Sequence, residues 1–486
     1  MASAVHLKSR TGYPCSAGPE AESIMSTTLS RPSLPILAGP IPPVEPLPFI
    51  TYLRTVRRNL IEALDETMYR KPIIRQRSAF SPSFIVSAPA GLRRVLLDNA
   101  ANYPKAPVEH RILGPAMGNG LILSEGDTWR AHRRIMAPAF DHRTNETYAP
   151  VMVDAALRLA TRWQALPASA TVEVSHDMME LTLDIISRSM FAADSDSIVG
   201  IIREGSDRYQ DAMMVGLAEF IPGIGRLWSA IKGARGRAIM REFDRAMFAL
   251  IEKRRHTPSA HHDLLDRLIT SRDEVSGATM TAREVRDQVL TIFVAGHETT
   301  ALALMWTWYL LSMHPEHEAR MHAELDAVLG GRRPAWSDIP SLPYTRMILQ
   351  ESMRLYPPVH TLAFRQAAEA DVVCGTTVPK GSLVTMIPWI IHRHRDHWTD
   401  PGRFDPERFT PEAIAQRDRL AYIPFGFGPR VCIGASFAMT EAVLILATLA
   451  QRVRLRVAPG CPVEPHALFT LRARHGMHME VTRRAV

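Results

Sequence analysis

The chain has 486 residues, 46% of them apolar, and a formal net charge of +7. Its four cysteines (Cys15, Cys374, Cys432, Cys461) are scattered, with no C-x-x-C pair. This excludes a zinc ribbon, a thioredoxin-like redox pair and a disulfide framework, and points to a reducing, cytoplasmic setting. The basic residues are spread out and not interleaved with aromatics, so no nucleic acid is expected as a partner.

Residues 1–37 mix Ser, Ala, Gly and charged residues, and no long apolar run follows Lys8 or Arg10. They read as a disordered or extended leader with no signal peptide or integral membrane anchor, and Met25 is a second candidate start. Between Arg31 and Phe49 the prolines Pro32, Pro35, Pro40, Pro42, Pro43, Pro46 and Pro48 preclude a continuous helix and predict an extended segment laid against the body. Apolar residues at three- and four-residue intervals predict helices over Tyr148–Leu166, His176–Phe191 and Ala238–Arg255.

The longest predicted helix runs from Thr281 to Met313, opened by a Thr281/Glu284 capping box and closed by His314-Pro315. From Val289 to Met313 only His297 and Glu298 carry potential charge, and the length suits a bilayer. A carboxylate near the centre is costly in lipid, so a buried central helix with a functional polar patch is expected instead of a membrane span. Strand-like segments are short. Phe84–Ser87 is one, Thr376–Val378 and Leu383–Ile387 form a predicted hairpin around Pro379-Lys-Gly381, and another pair brackets Thr470–Met479. With no linker composition or repeat after residue 50, residues 38–486 read as one domain, mainly α with a small β region.

The densest local signal is Pro424-Phe-Gly-Phe-Gly-Pro-Arg-Val-Cys-Ile-Gly434, followed by an apolar helix to about Arg452. The glycines and proline make a tight loop that presents Cys432 before a helix N-terminus, where backbone amides favour a thiolate. Glycines such as Gly434 let backbone approach a flat ligand, Phe425 can shield the sulfur, and Arg430 can reach an anion beside it. A lone cysteine is more commonly a packing residue, but packing does not explain the Gly/Pro/Arg setting.

This F-x-x-G-x-R-x-C-x-G pattern resembles the haem-binding signature of the cytochrome P450 family, and the likeness extends over roughly residues 38–485. Three further motifs agree. Ala295-Gly-His-Glu-Thr-Thr300 on the central helix is similar to the family's oxygen-side segment, where a small residue and a glycine leave room for dioxygen. Glu298 and Thr299 match its proton-delivering acid and alcohol, although a helical threonine often only back-bonds. Glu351-Ser-Met-Arg354 and Arg408 resemble the buried structural triad, although most i,i+3 ion pairs are surface decoration. Trp129 and Arg133 resemble a haem-propionate pair, with Arg365 and Arg430 as further propionate ligands and His132 as a weaker candidate. By itself such a helix start would be a solvated face.

The resemblance implies the P450 fold, with haem b held between the central helix and the cysteine loop and Cys432 as the iron ligand. It implies a haem-thiolate monooxygenase that inserts one atom of O2 into a lipophilic small molecule. The chain ends at Val486 without a flavin or nicotinamide module, so a separate ferredoxin or flavodoxin with its NAD(P)H-dependent reductase is expected. Arg130, Arg134 and Arg143 are candidates for docking an acidic donor. A peroxygenase using hydrogen peroxide and a non-catalytic haem sensor are the alternatives, and the Glu298–Thr299 pair argues against both. Expected pocket segments are the loop Val108–Leu123, Gln210–Trp228, Phe293 and Val294, Val359–Phe364 and Ala467–Thr470, which are mostly apolar. Phe220–Trp228 reads either as an apolar entrance loop or as a buried connection between helices. The wording of the A-G-H-E-T-T and E-S-M-R-L-Y-P-P segments is nearer to fatty-acid-hydroxylase-like members than to the camphor-hydroxylating type.

Overall fold

The Thr281 capping box forms as its residue types dictate: the Thr281 hydroxyl accepts from Glu284 N at 3.2 Å, and Glu284 returns the bond to Thr281 N at 2.8 Å. From there the central helix runs over Ala282–Met313 and stops at His314, because Pro315 opens the next helix, Pro315–Leu329. Thirty-two residues make it about 48 Å long. In this computed structural model, which describes residues 37–76, 81–191, 200, 241–257 and 263–484, the other elements are arranged around that rod. Its composition and length would suit a bilayer, but its apolar surface is packed in protein. It lies against the helices Val174–Met190, Pro343–Leu355 and Ala435–Ala450. Trp306, Trp308 and Leu310 are fully buried there.

The predicted helices are present with shifted ends. Tyr148–Leu166 is part of a helix over His142–Gln164, which begins earlier because Asp141 caps it by accepting from Thr144 N at 2.7 Å. His176–Phe191 becomes Val174–Met190, capped by Glu173. Residues 241–255 of the third prediction are helical, whereas 238–240 fall outside the described residues. The leader and Met25 also lie outside them. The following proline-rich stretch rests on the body, with Ala38 N donating to the Tyr309 hydroxyl (2.8 Å) and the Tyr356 hydroxyl donating to Ala38 O (2.6 Å).

The β region departs from the predicted hairpins. One sheet has the order β1 (Ile73–Gln76), β2 (Ser83–Val86), β7 (Leu383–Thr385) and β4 (Arg365–Gln366). Thr376–Val378 (β6) pairs instead with Asp371–Val373 (β5), so it does not form a hairpin with β7. The turn at Gly381 (φ +79°) directs the chain away from β6, and β7 then runs parallel to β2. Thr470–Met479 likewise divides between two sheets. Leu471–Ala473 (β10) pairs with Pro465–Ala467 (β9), and His478–Arg483 (β11) joins Thr171–Glu173 (β3) and Val453–Val457 (β8).

Below the central helix, Glu351 and Arg354 form a wholly buried pair at 2.6 and 2.8 Å. Arg354 also donates to the carbonyls of His392 (2.9 Å), Pro401 (2.8 Å) and Arg403 (2.9 Å). Arg408 approaches Glu351 at 3.5 Å, and Asp405 N donates to it at 2.9 Å. The sequence motif is therefore a junction that ties three separate loop carbonyls to one helix.

Candidate active site

The cysteine loop is closed by Cys432 N donating to Phe425 O at 2.9 Å. Gly426 and Gly428 sit at φ +72° and +73°, and a side chain on Gly428 would collide with the backbone of Leu96. Gly434 has an ordinary backbone (φ −88°) and ordinary contacts, so nothing on its protein side demands glycine. It precedes the helix Ala435–Ala450, and its amide opposes the upward push that burial gives the Cys432 thiol. Arg133 acts in the same direction. Cys432 is solvent-accessible even though its surroundings are dense enough to push its thiol up.

Cations converge beside this loop. Trp129 and Arg133 share a face of the helix Gly126–Met136. The Arg430 guanidinium stacks 4.0 Å from the Trp129 ring centre and donates to Ser124 O at 2.7 Å. Arg133 donates to Val431 O at 2.9 Å, fastening that helix to the cysteine loop. Arg365, on β4, is only 9% exposed, yet among the described residues its side chain makes no hydrogen bond or ion pair. Burial, then Arg365 and Arg133, push Arg430 down to about 10 against the pull of Glu125. The arginines repel one another at close quarters, and an anion placed among them would relieve that cost.

On the central helix, Ala295 and Thr299 are partly accessible one turn apart, and the Thr299 hydroxyl donates to Ala295 O at 2.9 Å. A side chain on Gly296 would meet Ile186 Cδ1, so the glycine also lets the neighbouring helix approach closely. Glu298 adjoins Thr299 in sequence but is engaged by Thr470 and Arg472 of the C-terminal hairpin. His132 is not free to meet a ligand: it is buried between Gln288 (3.0 Å) and Glu284 (3.3 Å). Arg130 pairs with Asp127 (2.6 Å), and Arg134 holds buried Asp273 with two bonds (2.6 and 2.9 Å). The docking charge expected of these two arginines is thus largely offset. Much of the predicted pocket loop Val108–Leu123 lies in a helix, Pro107–Met117, and Asn119 N and Leu121 N donate to Asp287 and Gln288 of the central helix. Gln210–Trp228 lies outside the described residues.

The family model for cytochrome P450 matches residues 40–476. The chain belongs to the cytochrome P450 family. It is 33% identical over 88% of its length to cyclooctatin synthase of Streptomyces melanosporofaciens, covering 92% of that protein. It is 30% identical over 90% of its length to pentalenene oxygenase of Streptomyces avermitilis, covering 96% of that protein. The crystal structure of the cytochrome P450DA heme domain superposes with a TM-score of 0.79, at 25% identity, over 92% of this chain and 99% of that one. This P450 is therefore a haem b-dependent monooxygenase with a mainly α fold and a small β region.

The residues present fit haem. A flat dicarboxylate with a metal centre takes a donor atom for the metal and paired cations for the acids, and Cys432 offers a sulfur with Arg133 beside it, while Arg430 joins Arg133 to Arg365 in one cation cluster. Lys105 was missed by sequence reasoning. It is buried (9% exposed), and burial pushes its amine down to about 8, with Glu109 opposing and Arg365 and Arg430 reinforcing the shift. It bridges to Arg365 through backbone, a long-range pairing that no local motif announces. Replacing Arg365 by Met is expected to act in opposite directions on the two forms of this P450. The apoprotein loses a buried charge whose burial cost Glu109 and Glu125 only partly offset, and becomes more stable. If Arg365 bonds a haem propionate, the holoprotein should lose a charge-assisted bond worth about 1.5–3 kcal/mol, and haem should leave roughly 10- to 100-fold faster. Haem transfer to apomyoglobin and thermal melts of both forms check this, and an unchanged transfer rate would remove Arg365 from the haem site.

Proposed function

We propose that this P450 hydroxylates a lipophilic organic substrate, taking electrons from a separate ferredoxin or flavodoxin and its NAD(P)H-dependent reductase, in the cytoplasm. The observation that carries the reading is the accessible Cys432 beside a cation cluster in which Arg365 is buried with no hydrogen bond or ion pair among the described residues. In this reading Cys432 ligates the iron. Trp129, Arg133, Arg365 and Arg430 hold the propionates, and Phe425 and Gly434 line the sulfur side. Bound haem supplies the activation of O2 and the oxidising power. The chain's own groups do the rest: Thr299 Oγ1 holds a water and Glu298 supplies it with protons. The apolar walls exclude solvent and fix which carbon is presented. A relay of this kind is needed for O2 and not for a peroxide shortcut, which favours the monooxygenase over the peroxygenase.

Relatives are named for oxidising pentalenene and cyclooctat-9-en-7-ol, which by those names are an alkene and an unsaturated alcohol. This supports a lipophilic substrate and sets cyclic hydrocarbons beside the fatty acids suggested by motif wording. The test is a Soret titration with cyclic alkenes, their alcohols and long-chain fatty acids, followed by turnover under 18O2 with ferredoxin, reductase and NAD(P)H. A product carrying one 18O atom is expected. Product formed only when hydrogen peroxide replaces the donor chain would overturn the reading.

A further inference from the structure

Glu298 precedes the relay threonine, yet its carboxylate is held by a hairpin more than 170 residues downstream. Oε1 accepts from Arg472 Nε at 2.9 Å and Nη2 at 2.7 Å, and from the Thr470 hydroxyl. Thr470 ends one turn and Arg472 follows it on β10. Ala467 of β9 pairs with Leu471 of β10, and Leu468 N donates to Thr470 O at 3.2 Å to close the loop between them.

The base of this hairpin is fixed from other sides. Leu471 N donates to Pro358 O (2.9 Å), and Trp306 Nε1 donates to Leu471 O (2.9 Å). His360 donates through Nε2 to Leu468 O at 2.8 Å. At the tip, Phe469 stands 57% exposed, although residues on both sides of it are pinned. A large apolar side chain is thus presented, unpacked, on a turn whose polar anchor is the carboxylate beside Thr299.

We propose that Arg472 and Thr470 make Glu298 the anchor of the Leu468–Thr470 turn, so that the set of the turn and the freedom of the acid are one equilibrium. Arg472 is then a positioning residue, and Phe469 is the turn's contact with substrate. The proposal rests on reading Glu298 as the proton source for Thr299. It adds that a lipophile pressing on Phe469 shifts the turn and loosens Glu298. By linkage, loosening Glu298 must change the affinity for that lipophile by the same factor. No covalent step is involved; only hydrogen bonds exchange.

The probes are N-alkylimidazoles from ethyl to dodecyl, which bind the iron of the holoenzyme through nitrogen and reach different distances into the pocket. Their Soret shifts give dissociation constants without turnover. In Arg472→Met and in Glu298→Gln the dodecyl constant is expected to change by about 5- to 10-fold, within the usual range of coupling between sites. The ethyl constant is expected to stay the same. The double variant should match one single variant, because both remove the same ion pair, and Arg472→Lys should recover most of the effect. Should Arg472→Met fold poorly, Thr470→Val takes its place, with a smaller change of the same sign. Additive effects, no effect on the dodecyl ligand, or an equal effect on the ethyl ligand would overturn the coupling. The relay reading is scored separately, by hydrogen peroxide released per NAD(P)H in Glu298→Gln. An unchanged ratio sinks the relay whatever the affinities do.

Discussion

Cys432→Ser is expected to abolish the long-wavelength Soret band of the reduced, CO-bound protein and to lower product formation by at least about 100-fold. That exceeds the usual cost of losing an outer-shell partner of a metal ligand, because the donor atom itself changes. A thiolate pushes electron density onto iron and favours O–O cleavage, and a serine hydroxyl does not supply it. The setting is built for sulfur. Burial pushes the free thiol up, while the Gly434 amide and Arg133 favour the charged form. The fold should survive, because the loop is closed through backbone, by Cys432 N to Phe425 O at 2.9 Å. Far-ultraviolet circular dichroism close to that of the parent, together with loss of the band, is the expected pair of results. A retained band would remove Cys432 as the ligand.

Arg354→Met is expected to cost about 3–5 kcal/mol, the usual penalty for breaking a buried ion pair from one side. Arg354 and Glu351 are both wholly buried. The substitution leaves the Glu351 carboxylate without its closest cation, with only Arg408 at 3.5 Å. It also strips donors from the carbonyls of His392, Pro401 and Arg403. A loss of that size is comparable to the whole stability of many proteins, so the variant should accumulate as insoluble or haem-free protein. Chemical denaturation of the soluble fraction measures the loss, and a change below about 1 kcal/mol, as for an exposed pair, would show the junction to be dispensable. Glu351→Gln with Arg354→Met, which removes both charges together, should recover part of the loss.

Much of the site was legible because its signals are local. The cysteine loop carries its glycines, Arg430 and Cys432 within eleven residues, and Trp129 and Arg133 lie one helical turn apart. The capping box at Thr281 also needs only neighbours, and it marked the start of the central helix within one residue. Errors came where partners are distant. Thr376–Val378 and Leu383–Thr385 look like a hairpin because a Pro-Lys-Gly turn separates them, but strand pairing is decided by which edge is free in three dimensions. That Gly296 also serves helix approach depends on the distant Ile186, which no local pattern names.

The family, the haem, the cysteine loop and the long helix that carries Thr299 could all be read from residue order. Each of these depends on residue types at short, fixed spacings, which backbone geometry converts directly into position. What the charged groups do was settled by folding. It buried Lys105 beside Arg365, satisfied Arg130 and Arg134 with acids, and set Glu298 against Arg472. A charge acts through whatever lies within a few ångströms of it, and those neighbours come from parts of the chain that only folding brings together.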